Sequence, residues 1–186
     1  MDDIRQERPY QILRDLQALI VGNPTAPNPT NSILADFDPL PGAEEEARVI
    51  HGLFPATKSS LLIGQMATLE NFWSKVPSST LIHLASHALA FSERPLESFV
   101  MLAVADGSDG RLTAKQVYDL EDSFNADLVT LSACQTGLGH LSGDGVIGLS
   151  RSFLATTVLD VLKTPAWGVN GQERELGRQN QVQLSC

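Results

Sequence analysis

The sequence predicts an α/β domain organised on a mainly parallel sheet with helices on both of its faces. Three observations lead there. Four apolar runs are short and continuous instead of alternating with polar residues: Gln17–Val21, Ser60–Ile63, Thr80–Ser86 and Leu128–Ala133. Strands of this kind are buried on both faces, as parallel strands are. Helical patterns fall between the runs, so that strand and helix alternate along the chain. Finally, 186 residues of which 42% are hydrophobic supply one sizeable core.

The first strand, Gln17–Val21, follows a polar segment and stops at Gly22-Asn23-Pro24. Residues Thr25–Leu34 are rich in Pro, Asn and Thr and read as a surface loop. Ala43–Phe54 predicts a helix with one apolar face, Ala47, Val49, Ile50, Leu53 and Phe54. The glutamates in its first turn, Glu44, Glu45 and Glu46, are expected to be solvated and to favour the positive end of the helix dipole. After the strand Ser60–Ile63, Thr68 is expected to cap a helix that buries Leu69, Phe72, Trp73 and Val76 and closes at Pro77.

The strand Thr80–Ser86 is followed by Phe99–Val104, an added strand, and a turn at Asp106-Gly107. Thr113-Ala114-Lys115-Gln116 has the capping-box pattern and opens a helix to about Leu120. Leu128–Ala133 is the next strand, and the glycine-rich segment to Gly145 leads into a helix over Val146–Leu154. Past Ala155 the pattern fades. The expected division is a polar segment over 1–16, the domain over 17–155, and a largely disordered tail over 156–186, whose last residues lack the apolar surface to offset chain entropy.

Charge narrows the function classes. Asp plus Glu number 22 against 13 for Lys plus Arg, and a net charge of -9 repels a phosphate backbone and an anionic bilayer alike. Neither nucleic acid nor membrane is expected as a partner. No apolar run approaches the roughly 18 residues of a membrane span, and Met1–Arg5 opens without the features of a secretory signal, so a cytoplasmic location is expected. Cys134 and Cys186 are the two cysteines, and a disulfide framework is not expected from them.

Cys134 stands where an apolar strand gives way to glycines, and His87 stands at the end of Thr80-Leu81-Ile82-His83-Leu84-Ala85-Ser86-His87. Both residues therefore fall at carboxyl ends of strands, where parallel sheets build their sites. A thiol of ordinary acidity, pKa about 8.5, is only a few per cent thiolate at neutral pH, and a neighbouring imidazole raises its nucleophilicity by taking the proton. The separation of 47 residues suits one crossover between neighbouring parallel strands. Backbone N–H groups at Ala88 and Cys134 would then face the oxygen of a bound carbonyl, an oxyanion role.

The stretches Leu40–Ile50, Leu81–His87, Asp109–Leu120, Ala126–Gly139 and Ser142–Leu154 together resemble the CHAT domain, a caspase-like module often found after tetratricopeptide repeats. The resemblance covers Ala18–Leu154. It implies a caspase-haemoglobinase-like three-layer αβα fold with a mainly parallel sheet, and a Cys-His endopeptidase. Matched by motif, Cys134 is the nucleophile and His87 the base. The substrate is then a protein or peptide, a tetratricopeptide-repeat partner or activator is implied, and no cofactor is called for.

The chain departs from the family pattern in three places. Ala88 follows His87 where the family has glycine, which would be strained if the backbone there needs a positive φ. No Ser-Leu-Trp type strand is recognisable after Ala155, so the sheet is expected to lack a strand beside the site. The usual N-terminal half of the module is not seen, and the fold is expected to be incomplete at both ends. These departures motivate a second reading, a truncated or silent module that acts as a protein-interaction domain.

Two further motifs compete with these. His83 and His87 form H-x-x-x-H, but four residues along a strand span about 13 Å, too far for one metal, and no metal is expected. His83 reads as a core histidine or an orienting group on the strand face of His87. Gly143–Gly148 satisfies G-x-G-x-x-G, yet it does not follow its strand directly and Asp144 would repel a pyrophosphate, so turn and packing roles are expected. The family resemblance sets this loop beside the peptide cleft. There Asp144 has two readings, a contact to a basic substrate side chain or a solvated carboxylate, and its residue type favours the second. His140 is expected to be solvated.

Overall fold

The structure, a computed structural model, describes residues 16–25, 37–91, 93–105, 107–120, 123–133, 152–153 and 160–164. Each continuous apolar run becomes a strand of one parallel sheet. These are β1 (Ala18–Pro24), β2 (Ser59–Gly64), β3 (Leu81–Ala85) and β7 (Leu128–Ser132), joined by β8 (Asp160–Thr164). The strand order is β2-β1-β3-β7-β8, and every pairing is parallel.

The chain leaves β1 through helix α1 (Pro41–Gly52) to β2 on one side. It then returns through α2 (Leu69–Lys75) to β3 on the other side. The order therefore reverses between β1 and β3, which opens a crevice at the carboxyl ends of those two strands.

Period-two alternation sorts the strand side chains onto two faces. Ala18, Ile20, Leu61, Ile63 and Leu81 meet Ala47, Ile50 and Phe54 of α1 and its end. Leu19, Val21, Leu62, Ile82, Leu84, Val129 and Leu131 turn to the other face and form the main core with Phe72, Val76, Val117 and Phe153. The result is a three-layer α/β architecture.

At Gly22 the helix α1 lies so close to β1 that a Cβ would overlap Ala47 Cβ and come within 2.8 Å of the Ala43 carbonyl oxygen. Neither obstacle is a flexible side chain, so α1 itself would have to move. Gly22→Ala is expected to lower stability by about 1–3 kcal/mol, the usual cost of overpacking, measured as a fall in the urea midpoint.

Between β3 and β7 the chain builds a second, antiparallel sheet, β4-β5-β6, from β4 (Ala88–Leu89), β5 (Phe99–Met101) and β6 (Arg111–Thr113). The run Phe99–Val104 is thus shorter as a strand than its apolar length suggests, and it belongs to this smaller sheet. Helix α3 (Ala114–Asp119) opens with the expected capping box, in which Thr113 Oγ1 accepts from Gln116 N at 3.1 Å and Gln116 Oε1 accepts from Thr113 N at 2.8 Å. Thr68 caps α2 by accepting from Asn71 N at 3.2 Å.

One expectation is corrected. The sheet does not lack a strand beside the site, because β8 pairs along the whole of β7, from Leu128 beside Asp160 to Ser132 beside Thr164. The helix expected over Val146–Leu154, apart from Ser152 and Phe153, and the tail after Thr164 lie outside the described residues.

Candidate active site

β3 and β7 are neighbours in the sheet, and their register pairs Leu81 with Leu128 and Ala85 with Ser132. His87 comes two residues after Ala85, and Cys134 comes two residues after Ser132. The register offset and the His87 to Cys134 spacing are therefore the same. Cys134 itself lies outside the described residues, as do His140, the Gly143–Gly148 loop with Asp144, and Cys186.

Ser86 is the joint at which β3 leaves the main sheet. Its N–H donates to the Ser132 carbonyl at 3.2 Å, and its hydroxyl donates to the Met101 carbonyl at 2.5 Å. One residue thus ties the end of β3 to β7 in one sheet and to β5 in the other. His87 follows, with 9% of its surface exposed.

The imidazole of His87 stacks on Phe37, with centroids 4.7 Å apart and planes 21° from parallel. Its Nε2 lies 2.7 Å from the Asp38 carbonyl oxygen. A carbonyl oxygen only accepts, so Nε2 carries the hydrogen. In the neutral ring Nδ1 is then the free lone pair, and it is the atom able to take a proton from a thiol.

Ala88 begins β4. The Met101 N–H donates to the His87 carbonyl at 2.8 Å, which makes His87 and Met101 a hydrogen-bonded antiparallel pair. The next pair, Ala88 and Val100, is then of the non-hydrogen-bonded kind, and the Ala88 N–H points away from β5. Among the described residues Asn23 alone has a positive φ without being glycine, so Ala88 sits in ordinary extended backbone and the strain feared for an alanine here does not arise.

His83 occupies the face of β3 that α1 covers. Its Nδ1 lies 2.9 Å from Thr130 Oγ1, and the Thr130 hydroxyl donates on to the Ile82 carbonyl at 3.3 Å. Its Nε2 stands 3.3 Å from Glu46 Oε1, close enough for an ion pair but not aligned as a hydrogen bond. The other carboxylate oxygen of Glu46 accepts from the Ser132 hydroxyl at 2.9 Å.

Glu46 therefore corrects the reading of the acidic turn as wholly solvated: its side chain is 13% exposed. Ala43, Ala47 and Ile50 are the residues of α1 that meet the sheet, and helical spacing puts Glu46 in the same stripe. Glu44 behaves as expected of a surface acid. Hydrogen bonds from Arg48 first, and from Asn23 second, hold its carboxyl below the usual carboxylate range.

Asn23 has a second part in the geometry. At φ 44° it ends β1 in the left-handed region, which asparagine tolerates better than most residues. Its amide donates to Glu44 at 3.1 Å while its Oδ1 accepts from Leu40 N at 2.7 Å, so the end of β1 grips the start of α1. Leu40 closes the stretch that begins with Phe37 and Asp38, the two residues that hold the His87 ring.

Sequence reasoning singles out His87 and Ala88 as candidates, does not reach Phe37, Asp38 or Ser132, and reads Glu46 as solvated. Asp38 acts through its backbone carbonyl and leaves no residue-type signal. Glu46 was readable in principle, as a charge three residues after one inward alanine and one before another.

The family model of the CHAT domain matches residues 2–162. Tetratricopeptide repeat protein 28 of Mus musculus is 27% identical over 195 residues, covering 86% of this chain and 8% of that protein. Tetratricopeptide repeat protein 28 of Homo sapiens is 27% identical over 199 residues, with the same 86% and 8% coverage. The chain thus spans 8% of the length of these curated relatives.

Proposed function

The chain belongs to the CHAT domain family, a caspase-like family, and from that premise we propose that it is a cysteine endopeptidase using Cys134 and His87. The observation that carries the reading is the register of β3 on β7, which matches the spacing of the two residues. Neighbouring parallel strands run about 4.8 Å apart, so Ala85 and Ser132, each two residues before one member of the pair, stand side by side.

In the proposed reaction the Cys134 thiol gives its proton to His87 Nδ1, and the thiolate attacks the peptide carbonyl carbon. A C–S bond forms, and the carbonyl oxygen becomes an oxyanion facing the N–H groups of Ala88 and Cys134. Collapse breaks the C–N bond. The leaving amine takes the proton from His87, and water, deprotonated by the same ring, then hydrolyses the thioester. The Asp38 carbonyl and the Phe37 ring support this scheme by holding the tautomer and plane that leave Nδ1 free.

The names of the relatives support a tetratricopeptide-repeat segment as partner or activator. No helix among the described residues is long and apolar enough to cross a membrane. Two grounds for the silent-module reading have weakened, since Ala88 has an ordinary φ and β8 completes the sheet beside β7.

Digestion of a peptide library, read by mass spectrometry with Cys134→Ala as the blank, tests the proposal. Cleavage by the wild type that vanishes in the blank is expected. Cleavage surviving in the blank would remove Cys134 from the mechanism, and an uncut library would favour the silent interaction module.

A further inference from the structure

Between α1 and the sheet lies a polar chain, Thr130, His83, Glu46 and Ser132, that the proposed chemistry does not use. His83 and Ser132 are 4% and 1% exposed, in a layer where their neighbours are aliphatic. Polar groups so placed cost stability unless they are paired, and they are the groups that fix one arrangement against others.

The pairing runs across three elements. Glu46 comes from α1, His83 from β3, and Thr130 and Ser132 from β7. His83 precedes His87 by four residues along one chain segment, and Ser132 precedes Cys134 by two along the other. A single carboxylate thus reaches both of the strands that lead to the dyad.

Proton accounting gives the link its character. Thr130 Oγ1 either accepts from His83 Nδ1–H while its hydroxyl donates to the Ile82 carbonyl, or donates to His83 Nδ1. In the second arrangement the neutral ring carries its hydrogen on Nε2, which faces Glu46 Oε1 at 3.3 Å. The Ser132 hydroxyl, donating to the second carboxylate oxygen, completes the charge-assisted set.

We infer that Glu46 is a positioning residue for the peptidase site: its carboxylate pins β7 through Ser132 and β3 through His83, and so sets the placement of Cys134 against His87. This role rests on the proposed dyad. It is a role in alignment, because among the described residues the Glu46 carboxylate meets His83 and Ser132 and not His87.

The test is the rate of Cys134 carboxamidomethylation by iodoacetamide against pH, followed on the Cys134 peptide in the full chain with Cys186→Ser. The wild type is expected to react with a midpoint below the ordinary thiol value of about 8.5, and His87→Ala to return it to that value. Glu46→Ala is expected to slow the reaction at pH 7 about tenfold and move the midpoint toward that of His87→Ala, since small misplacements of reacting groups are costly.

Glu46→Gln keeps the shape, an oxygen for Ser132 and an amide N–H for a neutral His83 Nε2, and is expected to restore the wild-type profile. Ser132→Ala removes one link with little change of volume and carries the test should Glu46→Ala not fold. It is expected to shift the midpoint in the same direction.

A role confined to stability would lower the melting temperature of Glu46→Ala and leave the pH profile of the folded protein where it was. That result, with a His87-dependent wild type, overturns the role of Glu46 and keeps the dyad. A wild type with an ordinary profile that His87→Ala does not change removes the dyad and this role with it.

Discussion

His87→Phe is expected to lower kcat/KM for the best library peptide by roughly 10²–10⁴-fold, the span that positioned acid–base groups supply. Phenylalanine is the informative substitution because the Phe37 partner remains: one flat ring replaces another at a centroid distance of 4.7 Å. What is lost is Nδ1, the proposed base, and the Nε2–H that anchors the ring on Asp38. Asp38 is exposed, so water can take the place of that donor at its carbonyl, and the melting temperature should move little. Activity and stability are thereby separated. The Cys134 alkylation midpoint should rise to about 8.5 in the same variant. Unchanged kcat/KM in a folded His87→Phe protein would exclude the imidazole as the base.

The sequence is most legible where burial on both faces leaves nothing but apolar residues. β1, β3 and β7 are continuous runs because both sides of each strand meet packed layers, and all three were placed within a few residues of their observed ends. β2 is an edge strand, and it was still visible because Leu61, Leu62 and Ile63 face two layers in turn. β8, at the opposite edge, was missed. Its residues, Asp160-Val161-Leu162-Lys163-Thr164, set an acid and a lysine among the apolar positions, and these dilute the apolar signal.

The small antiparallel sheet escaped for a different reason. Strands of two or three residues such as β4 and β6 are shorter than the window over which any periodicity can be read. Its consequence for the site is large, since the pairing of β4 with β5 decides which way the Ala88 N–H points. The candidate residues at the strand ends stand out in the sequence because the proposed chemistry restricts them to few types. The groups that hold them were not, because a backbone carbonyl at Asp38 and a carboxylate at Glu46 become specific only once the layers are stacked.

Phe72→Ala should cost about 3–5 kcal/mol, the range for deleting a buried aromatic side chain together with the cavity it leaves. Phe72 has no exposed surface. Its ring meets Trp73 edge-on at 5.2 Å, Trp73 meets Phe124 at 5.7 Å, and Phe124 meets Phe153 at 5.7 Å, each pair within 20° of perpendicular. Edge-to-face pairs add about 0.5–1.5 kcal/mol beyond their burial, so the first ring of the series carries more than its own area. Against a usual domain stability of about 5–15 kcal/mol this is a large fraction, and urea unfolding should show a lower midpoint at an unchanged m-value.

Phe124 and Ala126 belong to the core segment that feeds β7, so the ring series anchors the start of the strand whose end leads to Cys134. Loss of Phe72 therefore loosens that strand from the face opposite Glu46. Activity should fall only in step with the unfolded fraction, and it should return when a stabilising osmolyte restores folding. Glu46→Ala acts at the other face and at the other end of β7, and its altered reactivity should persist in fully folded protein. The two faces of one strand would thus separate what keeps the domain folded from what aligns the proposed nucleophile.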